Sequence, residues 1–208
     1  MPLQPDDHLE PEEGFFGAPD FLLDYYSAVR RVLLPEQRRL LLQMVVLPSR
    51  HPEQSVYVLG GRRRPRDLTV VAGQVTTQIW GSASKHLFEP AKEGGGETFE
   101  TISPEVKWAR APLGDDAFEH LMAAWMAALA TARPRKALIL DGVNFHFASG
   151  VQAARARSPR PGSACAELVA LGGKLIDLAK LENVTQRAEK EAAVAADADQ
   201  LVARFQQV

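Results

Sequence analysis

The sequence predicts an α+β fold: a mostly antiparallel sheet of about five to six strands with helices packed mainly on one face. Three observations lead there. Apolar and β-branched runs follow one another between residues 40 and 80 with only short connections, as antiparallel neighbours do. The pair Asp141-Gly142 stands between two apolar runs, the signature of a two-residue hairpin turn. Four further segments carry apolar residues at spacings of three and four, the period of an amphipathic helix.

Taken in order, residues 1–17 hold Asp6, Asp7, Glu10, Glu12 and Glu13 with no Lys or Arg, which predicts an acidic, flexible arm. The Phe15–Phe16 pair is its expected anchor, and residues 18–208 form the single domain. Leu22, Tyr25, Tyr26, Val29 and Leu33 line one face of a helix that ends before Pro35. Leu40 to Leu47 is an apolar run between prolines, read as a strand with residues 55–59 as its antiparallel partner. Leu68 to Trp80 gives another strand with a bulge or bend at Gly73. Residues 81–96 read as a loop, and 99–109 as a strand that Pro104 confines to an edge or a bulge.

Gly114-Asp115-Asp116 starts a helix striped by Phe118, Leu121, Met122, Trp125 and Leu129. The hairpin follows: residues 137–140 and 143–147 pair about Asp141-Gly142, Leu138 opposite Phe145. Its alternation places Val143, Phe145 and Phe147 on one face and Asn144 and His146 on the other. Residues 149–163 read as an Arg-bearing loop, after which Ser163 caps a helix striped by Leu168, Leu171, Leu175 and Leu178. A last helix over about 185–206 buries Val194, Ala198, Leu201 and Phe205.

At 208 residues the chain is long enough for one substantial core. Its 24 Lys and Arg against 26 Asp and Glu leave a formal charge of -2, no field for gathering nucleic acid or an anionic membrane. With a single cysteine, Cys165, there is neither an internal disulfide nor a cysteine-based zinc site. The acidic N-terminus does not read as a signal peptide, no run is long enough to span a membrane, and the cytoplasm is the expected compartment.

Chemical signatures are sparse. His146 beside Asn144 is the foremost candidate for lining a pocket or moving a proton; the competing reading is a polar hairpin face meeting solvent. Asp141 is explained by its turn, and Cys165 by a small apolar position at a helix start. The loop pairs His51 with Glu53 and His86 with Glu89 lack further ligands for a metal, and neither glycine run has the form of a phosphate loop. No cofactor is expected. Arg62, Arg63, Arg64 and Arg66 form the strongest charge cluster, a candidate surface for an acidic partner or for the acidic arm.

The succession of Trp125 in a helix, Arg133-Pro134, Leu140-Asp141-Gly142, Phe145-His146-Phe147, a Gly/Ser/Pro loop and a Leu-periodic helix resembles a pattern in small uncharacterised bacterial α+β proteins, some of immunity type. The resemblance covers roughly 118–178 and carries no functional residue across. With no nucleophile, metal or phosphate signature, and with an acidic arm and Arg-rich loops that could steer a charged partner, the expectation is a non-enzymatic module that binds a protein partner, in a toxin-neutralising or regulatory role. The alternative is an enzyme with its site around His146, Asn144 and the 149–163 loop.

Overall fold

A computed structural model describes residues 8–12, 22–36, 39–61, 67–83, 98–134 and 142–207. One antiparallel sheet of seven strands organises them. In chain order its members are β1 (Glu10–Pro11), β2 (Leu40–Pro48), β3 (Gln54–Leu59), β4 (Thr69–Val75), β5 (Val106–Pro112), β6 (Val143–Ser149) and β7 (Gln152–Arg157). They lie side by side as β1-β7-β6-β2-β3-β4-β5. The helices are α1 (Leu23–Leu33), a short α2 (Ile79–Ala83), α3 (Asp115–Ala130), α4 (Ala164–Ala179) and α5 (Val184–Phe205). None among the described residues is long and apolar enough to cross a membrane.

The α+β class and antiparallel pairing agree with the sequence reading; the strand count exceeds it, and helices cover both faces. On one face Leu42, Met44, Val56, Val58, Val70 and Phe147 meet α3, α4 and α5 through Leu121, Trp125, Leu168, Leu171, Leu175 and Leu201. Trp125 is fully buried there, edge-on to Phe147, its indole N–H donating to the carbonyl of Gln43 at 3.3 Å. On the other face Val45, Leu47, Tyr57, Val71 and Val75 meet α1, Ile79, Phe99 and Ile102. Strands covered on both sides are apolar at nearly every position, so period-2 alternation vanishes from β2 to β4 and one-sided and two-sided cover read alike.

Two expectations about the middle of the chain are corrected. Residues 137–141 lie outside the described residues, but both edges of β6 are occupied by other strands. Phe145 pairs with Val46 of β2 and with Ala156 of β7, so the ladder expected opposite Leu138 has no free edge. The true hairpin joins β6 to β7, where Ser149 pairs with Gln152 across Gly150-Val151. Gly150 has φ +57°, the positive value that the first central position of a type II′ turn demands. The predicted loop over 149–163 is therefore half strand: Ala153, Ala154, Arg155 and Ala156 are poor strand formers individually and conceal it. The face assignment survives, with Phe147 in the α3–α5 core and His146 on the α1 side.

The acidic arm contributes a strand. Leu9 is fully buried and Glu10–Pro11 pair with Arg155 and Ala154 at the β7 edge, so residues 8–12 belong to the sheet; Phe15 and Phe16 lie outside the described residues. Gly73 sits in regular register between Ser55 and Trp108, with no bulge. The Trp108 ring lies where its side chain would be, 2.5 Å from a notional Cβ. β5 begins after Pro104 and is the edge strand expected.

Candidate binding site on the polar face of the sheet

Directly paired residues of antiparallel strands point the same way. Gln43, Val45 and Leu47 of β2 therefore share the α1 face with Ala148, His146 and Asn144 of β6, and these with Ala153, Arg155 and Arg157 of β7. The result is a polar stripe inside a covered sheet. Burying charges there requires partners, and the arm supplies them. Glu12 sets its carboxylate on His146, with Nδ1 donating at 2.9 and 3.0 Å to its two oxygens. The imidazole is 0% exposed and the carboxylate side chain 1%. Arg155 donates from Nε and Nη2 to Glu10 at 3.0 and 2.9 Å, and Arg157 from Nε to Asn144 Oδ1 at 2.8 Å.

Tyr26 of α1 lies edge-on to His146, ring centres 5.6 Å apart. Burial raises its hydroxyl pKa above the usual 10.0 and the Glu12 charge adds to this, while Arg155 and Arg157 pull the other way. Burial also lowers the pKa of Arg157, with Arg155 as a like-charged neighbour.

Two cavities flank α1 on this face. The first, about 430 Å³, is walled by Tyr25, Tyr26, Leu47 and Trp80, with Asn144, Ser49 and Arg50 as polar members. Its aromatic wall is continuous: Tyr25 meets Trp80 edge-on at 5.1 Å and Tyr26 at 5.4 Å. The wall is held from below by Glu53, fully buried. Its carboxylate accepts from Tyr25 Oη at 3.0 Å and from the backbone N–H groups of Ile79 and Trp80 at 2.9 and 3.1 Å. Burial raises the Tyr25 pKa well above 10.0, and the charge on Glu53 is the next cause. The second cavity, at the other end of α1, is lined by Arg30 and Gln43 among others.

The two sequence candidates thus share a face but not a role. Asn144 lines the aromatic cavity, whereas His146 is sealed behind Tyr26 and Glu12 and stands in the wall of neither cavity. Arg62, Arg63, Arg64 and Arg66 lie outside the described residues, as does Asp141. His51 is exposed while Glu53 is buried against α2, so that pair does not converge. Cys165 is buried in the α3–α5 core. No group of three or more His, Cys, Asp or Glu side chains is arranged to hold a metal among the described residues. Sequence reasoning missed Glu10, Glu12, Tyr26, Glu53, Arg155 and Arg157. The alternation Arg155-Ala156-Arg157, apolar at every second position, was the available signal for the last two. No protein-family model matches this chain, and no curated protein or solved structure matches it either.

Proposed function

We propose that this protein is a non-enzymatic binding module of the cytoplasm, immunity-like or regulatory, that grips a protein partner at the aromatic cavity beside α1. The cavity itself carries the reading. Tyr25, Tyr26 and Trp80 with Arg50 at one concave site is the composition of interface hot spots, where rigid aromatic rings bury area at low entropic cost. A near-neutral charge favours a protein over nucleic acid or a membrane, and the Arg62–Arg66 cluster would steer an acidic partner towards the chain. The enzymatic alternative at His146 and Asn144 has less support, because the imidazole is closed off and Nδ1 is engaged by Glu12.

The test is recovery of a partner from the native host at low salt, followed by reconstitution of the purified pair. Co-elution with the wild type is expected. Trp80→Ala should weaken the complex by about 2 kcal/mol, roughly 30-fold. Arg50→Glu, on an exposed side chain that folding does not need, should weaken it as well. A wild type that elutes alone, or a complex indifferent to both changes, overturns the reading.

A further inference from the structure

The second cavity, about 320 Å³, is built where three irregularities meet. The β2–β3 register passes from Leu40–Leu59 to Leu42–Val58, which leaves Leu41 as a bulge residue. Bulges re-aim side chains and occur often beside binding sites. The β6–β7 turn closes on the other side, fixed by Ser149 Oγ donating to the carbonyl of Leu41 at 2.9 Å. The last turn of α1 delivers Arg30 and Leu34.

Its polar side chains are Arg30, Gln43, Ser149 and Gln152. Gln43 is 8% exposed, and its side-chain oxygen is buried with no hydrogen-bond partner. A buried acceptor in that condition is costly, and native folds seldom leave one without a partner. The exposed side chain of Arg30 stands in the same wall. The aliphatic lining includes Leu34, Leu40 and Leu41, and Val151, which is 96% exposed. A cation, a buried acceptor without a partner and aliphatic side chains in one lining define a ligand by complement.

We propose that this cavity binds a carboxylate that carries an adjacent N–H donor and a branched aliphatic side chain, the chemistry of an N-acylated leucine-type amino acid or of a peptide ending in one. The carboxylate pairs with Arg30, whose planar guanidinium suits it. The amide N–H donates to the Gln43 oxygen, and the side chain rests on Leu34 and Leu41. This site is separate from the aromatic cavity, and it stands or falls independently of the partner proposed there.

The test is a titration of the full chain with N-acetyl-L-leucine, followed by amide chemical shifts. Saturable shifts are expected at Gln43 and across Ser149–Ala153. N-acetyl-leucinamide, which lacks the charge, and 4-methylpentanoate, which lacks the donor, should each bind at least about tenfold more weakly, the scale of one hydrogen bond to a charged or buried group. Arg30→Gln and Gln43→Leu should weaken N-acetyl-L-leucine by a similar factor while the far end of the sheet keeps its spectrum. An acetylated tetrapeptide ending in leucine separates the sources: tighter binding identifies a chain terminus, equal binding a free amino-acid derivative. No saturable shift up to about 20 mM, beyond the millimolar affinity ordinary for so small a ligand, overturns the proposal and leaves Gln43 to water. Equal binding of all three small probes overturns it too.

Discussion

At the scale of single residues, Glu53 shows how a buried charge is kept. Three donors converge on its carboxylate, from Tyr25 and from the backbone of Ile79 and Trp80. Truncation leaves all of them buried without an acceptor, and each orphaned group costs about 1–3 kcal/mol. Glu53→Ala is therefore expected to destabilise by about 4 kcal/mol in urea unfolding, against about 1 kcal/mol for Tyr25→Phe, which removes one donor and leaves the carboxylate two. Equal losses in the two variants would show that the backbone contacts contribute nothing. Glu53 was not legible in the sequence because nothing local marks it: its partners come from α1 and α2, and beside His51 it reads as a loop carboxylate. The same holds for Glu12. An acidic residue among five acids in an arm without Lys or Arg looks solvated until the sheet places a histidine opposite it.

At the scale of elements, legibility followed periodicity. Four of the five described helices announced themselves because apolar stripes at three- and four-residue spacing match the faces they bury, and Ser163 does cap α4, accepting from the N–H of Ala166 at 3.2 Å; the short α2 carries no such stripe and falls where the sequence reads as the end of a strand and the start of a loop. The hairpin failed for an opposite reason. Asp-Gly is a strong local preference, but strand pairing is decided by which edges remain free, and β2 and β7 claim both edges of β6. The α3–α5 contact offers a pH test of one packed pair. His120 of α3 meets Asp199 of α5, and that hydrogen bond is the main cause raising the imidazole pKa above 6.5, with the charges of Asp199, Asp116 and Glu119 adding to it. A folded pKa above the unfolded one means the contribution is complete below about pH 6.5 and lost as pH rises through the folded value. The stability difference between wild type and Asp199→Asn should accordingly shrink from pH 6 to pH 8.5. A difference constant across that range would show that His120 is not charged in the folded pair.

At the scale of the whole molecule, the two sheet edges are finished differently, and this governs what the arm does. β5 closes one edge with Lys107, Arg110 and Pro112, charges and a proline that discourage further pairing. The other edge, β7, is capped by only two residues of β1, yet they follow a fully buried Leu9, and Glu10 within them and Glu12 just after them supply the carboxylates that partner Arg155 and His146. The composition of the arm hid this: five acids among its first residues read as disorder, and their meaning depended on the Arg-bearing strand mistaken for a loop. Deleting residues 1–12 thus does three things at once. It uncovers the apolar floor under Leu9, at about 2 kcal/mol; it strips the buried His146 of its hydrogen-bond acceptor, at about 1–3 kcal/mol; and it opens the β7 edge. The sum is a large part of the stability of a domain, typically about 5–15 kcal/mol, so the truncated chain should unfold at much lower urea and self-associate in light scattering. Glu12→Gln isolates the carboxylate from the strand: it should lose about half as much as the deletion and keep the mass of the full chain, because Leu9 and the β1 pairing remain. If the truncated chain matches the full one in stability and mass, the arm is an ornament on the sheet and not its seventh strand.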